Sequence, residues 1–205
     1  MEKCLLESFK SDNVFESFVA GLNNFYKPTS IKTRKEYTKN VGDAWEDFSC
    51  LFLSKIMGWE VFKLKECNDD VLKRLCLKKR DVGIDLIAVY NGEYIAVQCK
   101  YRKNFQKLSW RDISTFDALC FRTGPWHKQV VITTSSWLQR EGQWTEKDMF
   151  IGKKKFESLS KFDWLKFLNL DSGKLCGGEY STDVRKARLK YFQNSVNNEE
   201  QEYIS

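Results

Sequence analysis

The sequence predicts an α/β fold whose core runs helix, strand, strand, strand, helix, strand between residues 41 and 136. Three observations carry that expectation. Asn91-Gly92 sits between the apolar runs DLIAVY and EYIAVQC, the strongest short signal for a hairpin closed by a two-residue type I′ loop. Val41, Trp45, Phe48, Phe52 and Ile56 recur at helical spacing, and Gly58 follows as a stop. HKQVVITT (127–134) is a short run with β-branched apolar residues between turn signals, the pattern of a buried strand.

In chain order, residues 1–24 read as a helix, with Phe15, Phe18, Val19 and Leu22 on one face. KPTSIKTRKE (27–36) has Pro28 and little apolar content and reads as a linker. The helix over 41–57 follows, then EVFKLKE (60–66) as a first strand. Residues 69–80 read as a short helix or loop ending in the basic run KRLCLKKR. After the hairpin, Ser109 with Asp112 three residues on predicts a capped helix start, with Ile113, Phe116 and Cys120 facing inward. Beyond the strand at 127–134, residues 158–169 read as an amphipathic helix with Phe162, Leu165 and Leu168 on one side. Residues 182–192 read as another, carrying Arg185, Lys186, Arg188 and Lys190. The expected organisation is an N-terminal helical extension and linker (1–40), a core (41–136), a mainly helical C-terminal extension (137–193) and a flexible acidic tail (194–205).

Composition bounds the function classes. With 205 residues, 42% hydrophobic and 15% aromatic, the chain can bury a sizeable core and is not a disordered one. A formal net charge of +6 favours an anionic partner. No apolar stretch reaches the roughly 18 residues of a membrane span, and MEKCLLESFK is not patterned as a signal peptide. Seven cysteines in no CxxC spacing, with His127 the one histidine, argue against structural zinc and for reduced thiols in cytoplasm or nucleus. His127 itself reads as a loop residue entering a strand, and Trp137 and Trp144 as loop packing or substrate contacts.

The hairpin register singles out three polar residues. If Asn91 and Gly92 form the loop, Tyr90 faces Glu93, Leu86 faces Val97, and Asp85 falls opposite Gln98. Opposed residues share a face with Cβ atoms about 4.5–5.5 Å apart. Lys100, two residues beyond Gln98, shares that face, while Leu86, Ala88, Ile95, Val97 and Cys99 form the opposite one. A carboxylate beside an amide oxygen is a hard donor pair suited to Mg²⁺ or Mn²⁺, and a neighbouring ammonium can stabilise charge on phosphate. The same residues would also serve as a plain Asp85–Lys100 salt bridge on a solvated face. Glu46 lies on a second, mostly apolar stripe of the preceding helix with Cys50, Leu53 and Met57, where an acid needs a partner, a metal or the helix dipole.

Asp85, a hairpin, then Gln98-Cys99-Lys100 resembles the PD-(D/E)XK, or restriction-endonuclease-like, nuclease superfamily, and the glutamine variant is most similar to its Mrr-like branch, akin to Holliday-junction resolvases. The stretches that carry the likeness are GDAWEDFSCLFLSKIMGWEV (42–61), DVGIDLIA (81–88), YIAVQCKYR (94–102) and VVITTSS (130–136). The resemblance implies an αβββαβ core with a mixed sheet flanked by helices. It implies Asp85 as the metal-binding aspartate, Gln98 in the usually acidic second position, Lys100 as the catalytic lysine, Glu46 as the helix acid and the Cys99 carbonyl as a further metal ligand. Gln98 removes one negative charge from the usual set.

The activity this implies is Mg²⁺- or Mn²⁺-dependent endonucleolytic hydrolysis of DNA phosphodiester bonds. The alternative is a nuclease-fold module, weak or inactive, that binds nucleic acid or a partner within a nuclease–helicase assembly. The residues do not separate DNA from RNA, and two cuts on a duplex suggest a homodimer. Phosphate contacts are expected from Lys79 and Arg80 before the site and from Arg102, Lys103, Lys107 and Arg111 after it, since no acid occurs among residues 99–111. Tyr101, Phe105 and Trp110, interleaved among these cations, are candidates for stacking on bases.

Overall fold

The structure, a computed structural model, describes residues 1–27, 34–139 and 145–167. All the described elements belong to one unit, Met1–Phe167. The hairpin of the sequence is its centre. Strands β2 (Leu86–Tyr90) and β3 (Glu93–Lys100) pair antiparallel in the expected register, from Tyr90 opposite Glu93 to Leu86 opposite Val97. Asn91 and Gly92 both take positive φ, 51° and 80°, as a type I′ loop requires.

Around this pair stands a five-stranded mixed sheet in the order β1-β2-β3-β5-β7. β1 (Glu60–Lys63) runs antiparallel to β2, whereas β5 (Lys128–Thr133) and β7 (Asp148–Ile151) run parallel to β3 and β5 respectively. A separate two-stranded parallel ladder joins β4 (Leu108–Ser109) to β6 (Leu138–Gln139). Both sheet faces are covered, so the central strands are buried whichever way their side chains point. Ile87, Ala96 and Val131 pack into an aliphatic cluster with Leu72 of α4 (Asp69–Arg74) and with Ile113, Phe116, Leu119 and Cys120 of α5 (Trp110–Arg122). The alternate residues Leu86, Ala88, Ile95 and Val97 are fully buried on the other face.

That other face belongs to α3 (Arg34–Lys55), which buries Val41, Trp45, Phe48 and Phe52, as the spacing predicts. Trp45 donates its indole N–H to the carbonyl of Ile132, 3.3 Å away. Gly58, at φ 72°, turns the chain out of the helix toward β1. An aromatic cluster covers α3 from outside. Phe15 of α2 (Val14–Phe25) stacks on Phe156 of α6 (Lys153–Glu157) at 4.8 Å, and Trp164 of α7 (Lys161–Lys166) stacks on Phe48 at 5.8 Å. Such pairs add about 0.5–1.5 kcal/mol each beyond the area they bury. Lys153 pairs with Glu16 and lies 4.2 Å above the Phe105 ring, tying the two extensions to the loop after β3.

Several element boundaries differ from expectation. The single helix over 1–24 is two helices, α1 (Glu2–Ser8) and α2, because the Asn13 side chain accepts from the Glu16 N–H at 3.1 Å and starts a new helix there. The linker ends earlier, since residues 34–36 already belong to α3. The strand over 60–66 stops at Lys63, and Leu64–Glu66 form a 3₁₀ turn. Residues 158–169 do not make one helix with Phe162 inward. Ser160 and Asp163 cap each other at the start of α7, which turns Trp164 and Phe167 inward and leaves Phe162 70% exposed. The segment after 136, expected to be mainly helical, also supplies β6 and the edge strand β7, whose four residues DMFI are too short to stand out. The linker residues 28–33, Trp144, Leu168, the helix over 182–192 and the tail lie outside the described residues.

Candidate active site

The site end of the hairpin departs from a regular ladder. Leu86–Val97 is the last regular pair. Beyond it the Asp85 N–H donates to the Val97 carbonyl at 2.9 Å, and the Asp85 carbonyl accepts from the Leu64 N–H at 2.9 Å. The Asp85 side chain therefore does not stand out from the pleat. Its Oδ2 accepts from the Cys99 N–H at 2.6 Å and from the side-chain amide of Gln98. The opposition of Asp85 and Gln98 expected from the turn is thus realised as a direct hydrogen bond. Gln98 is buried, with 3% of its surface exposed, and Lys100 is half-buried.

Electrostatics separate this cluster from an ordinary surface pair. Burial raises the Asp85 pKa, against the opposing pull of the Cys99 N–H, the Gln98 amide and the positive charges of Lys100 and Lys65. Glu46 on α3 is half-buried, and burial followed by the Asp85 charge pushes its carboxyl up to about 7. Helix α3 thus brings a second acid within electrostatic reach of the hairpin acid. Asp47, one residue on, turns instead to an ion pair with Lys63. Two half-buried carboxyls, both held above their ordinary range, form an environment a divalent cation would relieve. Among the described residues, no group of three or more His, Cys, Asp or Glu side chains gathers to hold a metal, so the donor set would be two carboxylates, the Gln98 amide oxygen and the Cys99 carbonyl.

The C-terminal ends of the parallel strands β3 and β5 frame the site. Thr133 donates its hydroxyl to the Lys100 carbonyl at 2.6 Å, and Thr134 receives the Arg102 N–H at 2.8 Å while donating to the Arg102 carbonyl at 2.8 Å. These hydroxyls fix the backbone that carries Lys100. Lys65 and the two threonines were not among the expected site residues. The TTSS run after the β5 strand was the available signal for the threonines, whereas Lys65 carries none.

The expected phosphate-binding residues separate into two groups. Lys79, Arg80, Lys103, Lys107 and Arg111 are exposed. Arg102 is committed to an ion pair with Asp112, whose carboxylate hydrogen bonds from Ser109 and Arg102 hold below the usual range although burial opposes it. Lys79 pairs with Asp69 at 2.9 Å on an exposed surface, where such pairs are weak. Of the aromatic candidates, Phe105 packs on Phe15, and Tyr101 lies against Trp45 with its hydroxyl donating to the Val19 carbonyl. Both serve the core, while Trp110 remains 45% exposed. His127 enters β5 as expected, with Nδ1 2.8 Å from Glu93.

The described core is restriction-endonuclease-like, an αβββαβ arrangement in which an acid, a hairpin and a glutamine-x-lysine strand end follow in chain order. The chain belongs to the restriction endonuclease family, whose Mrr-type catalytic model matches residues 60–173, more than half of its length. The family supports a DNA nuclease. A solved structure, the MspJI restriction endonuclease in complex with a 27-mer oligonucleotide, aligns with 80% of this chain at 14% identity and a TM-score of 0.39. The chain spans about a third of that protein's chain, 34%. A search of curated proteins finds no match. Among the described residues no helix is long and apolar enough to cross a membrane.

Proposed function

We propose that the chain is a metal-dependent endonuclease that hydrolyses phosphodiester bonds of DNA. The observation that carries this reading is the Asp85 carboxylate, half-buried at the open end of the hairpin and held by Gln98 and Cys99, with its charge adding to the burial that raises the Glu46 pKa to about 7. Asp85, Glu46, the Gln98 amide oxygen and the Cys99 carbonyl would hold Mg²⁺ or Mn²⁺. When bound, the cation would supply an activated water and neutralise charge on the leaving group. The Gln98 amide N–H fixes the Asp85 carboxylate and leaves its own carbonyl oxygen as the ligating atom. Lys100, on the strand end braced by Thr133, meets the scissile phosphate as a point charge. Lys79, Arg80, Lys103, Lys107 and Arg111 contact flanking phosphates independently of sequence, and Arg102 orients the loop through Asp112. A second copy of the chain would give a two-strand cut most simply. None of the described cysteines is disulfide-bonded, which suits a reducing compartment.

The test is nicking of supercoiled plasmid and cutting of branched DNA with Mg²⁺ or Mn²⁺. Asp85→Ala and Lys100→Ala should each remove the activity, and persistence of cutting in either would sink the assignment. One observation favours a second reading, a DNA-binding module with little or no chemistry, alone or in a nuclease–helicase assembly. Gln98 stands where a third acid would complete a stronger cation site, and its N–H is committed to Asp85. Salt-dependent DNA binding without metal-stimulated cutting would select it.

A further inference from the structure

Beside the candidate site lies the β4–β6 ladder, flanked by two tryptophans that the catalytic reading does not use. Leu108 and Leu138 are opposed in its register, and both belong to the aliphatic core cluster. The alternate positions must therefore face outward. Lys107 and Trp137, the residues just before β4 and β6, lie on that outward side, with the ammonium 4.8 Å from the centre of the indole ring and the ring 49% exposed. Trp110, the first residue of α5 directly after β4, is 45% exposed, and Arg111 beside it is exposed as well. Isolated exposed aromatics need no explanation, but two tryptophans flanking one small ladder, with Lys103, Lys107 and Arg111 beside them in the chain, form a combined aromatic and cationic surface.

The topology fixes where this surface stands. β3 and β5 are parallel, with Lys100 in register with Thr133. The chain leaves β3 past Lys100 to reach Lys107, and leaves β5 past Thr133 to reach Trp137. The ladder thus stands at the end of the sheet that carries Lys100, and the Leu108 N–H donating to the Trp137 carbonyl at 3.1 Å closes it there. Cations alone would suit any polyanion. Exposed indole faces beside them select a polyanion that also offers flat apolar rings, which duplex DNA hides by stacking and an unpaired strand presents.

We propose that Trp137, covered on one side by Lys107, and Trp110 form a stacking platform for unpaired bases, so that the chain engages DNA with a single-stranded segment next to the cleavage point. This rests on the nuclease reading for its placement but not for its test. The experiment is fluorescence anisotropy of the whole chain, in EDTA, with a labelled 20-nucleotide oligo(dT), an abasic strand of the same length and charge, and a blunt duplex. The chain should bind oligo(dT) about tenfold more tightly than the abasic strand, the size expected for base–aromatic stacking. Trp137→Ala should erase most of that preference, and Trp137→Phe, which keeps a ring, should retain it. No preference for bases over the abasic strand, or a preference intact in both Trp137→Ala and Trp110→Ala, would overturn the platform. So would binding of polyglutamate as tight as that of oligo(dT), which would make the surface a peptide site. Because cutting is not measured, a tryptophan-dependent base preference without any nuclease activity would overturn the enzyme reading alone. Asp85-dependent cutting without a base preference would overturn the platform alone.

Discussion

The two ends of the β2–β3 hairpin both carry charged side chains, yet they differ in kind. At the turn end, Glu93 and His127 face each other at 2.8 Å with 54% and 42% of their side chains exposed. A cleft of about 480 Å³ opens beside them, lined by Arg74, Tyr94, Trp126 and Lys147 among others. At the other end Asp85 is half-buried on hydrogen-bond donors and a second acid is pushed toward neutrality. The turn end has the room and the lone histidine, the two features that first attract a functional reading. The far end has carboxyls that partial burial holds above their ordinary range, the kind of perturbation that clusters at functional sites. Room marks less than unrelieved charge does.

The sharpest way to break this comparison is to remove one charge from each end. Lys100→Ala should lower plasmid cleavage by about 10²–10³-fold, the range seen when one preorganised electrostatic group is lost, and Asp85→Ala by at least as much. Glu93→Ala should leave the rate within about twofold, because a solvated pair on the far side of the hairpin contributes little. Equal losses at the two ends, read as initial nicking rates, would erase the distinction.

The next effect in size is on stability and lies at the site end alone. Gln98→Ala removes one of the two donors to Asp85 Oδ2 while the carboxylate stays half-buried. Hydrogen bonds to charged groups contribute about 1.5–3 kcal/mol, so the urea midpoint should fall correspondingly in EDTA. Gln98→Glu adds a like charge beside Asp85. It should also destabilise the metal-free protein, yet raise its affinity for Mn²⁺ in titration calorimetry. A Gln98→Glu chain that is as stable as the parent without metal would mean that the Asp85 pocket is wetter than its burial implies.

Much of this site could be read in the chain because turn chemistry is local. Asn91-Gly92 admits one tight loop, and that loop dictates every pair down to Leu86 and Val97. The helical stripe through Val41, Trp45, Phe48 and Phe52 likewise fixed the buried face of α3 and hence the side on which Glu46 travels. Less could be read where tertiary partners decide. The Asp85 carboxylate turns to the Cys99 N–H and the Gln98 amide across the strands, a contact that the turn register alone does not announce. Phe105 and Tyr101 look like stacking residues until the N-terminal helices arrive to cover them. Phe162 fits an inward stripe by spacing, but a capping pair two residues earlier sets another phase. β7 is four residues at a sheet edge, and only the neighbouring β5 identifies it as a strand.

Glu46 gives a smaller effect with a defined sign. Its folded-state carboxyl titrates at about 7 against an ordinary value of 4.5. Between those values the native chain holds a proton that the unfolded chain has lost, so stability falls as pH rises through the window. Urea midpoints measured in EDTA from pH 5 to 8 should therefore decline, and Glu46→Gln should flatten the decline. Cation binding must displace the same proton, so Mn²⁺ affinity should rise over the same range. A flat profile in the parent chain would place Glu46 in solvent.

The smallest expected change tests the turn end on its own terms. His127 and Glu93 are joined by geometry that would be taken for a functional dyad if burial were ignored. An exposed ion pair contributes about 0.2–1 kcal/mol and is screened by salt. The strand end it decorates is already fixed by backbone, since the His127 N–H donates to the Tyr94 carbonyl at 2.8 Å and β5 then pairs along β3. His127→Ala should accordingly lower the urea midpoint by less than one kcal/mol equivalent, and the difference from the parent should shrink further between 0.05 and 0.5 M salt, roughly as screening predicts. A loss that is larger, or that salt does not touch, would mean that the pair is shielded from water, and the contrast between the two ends of the hairpin would fail at the end where it now rests on exposure alone.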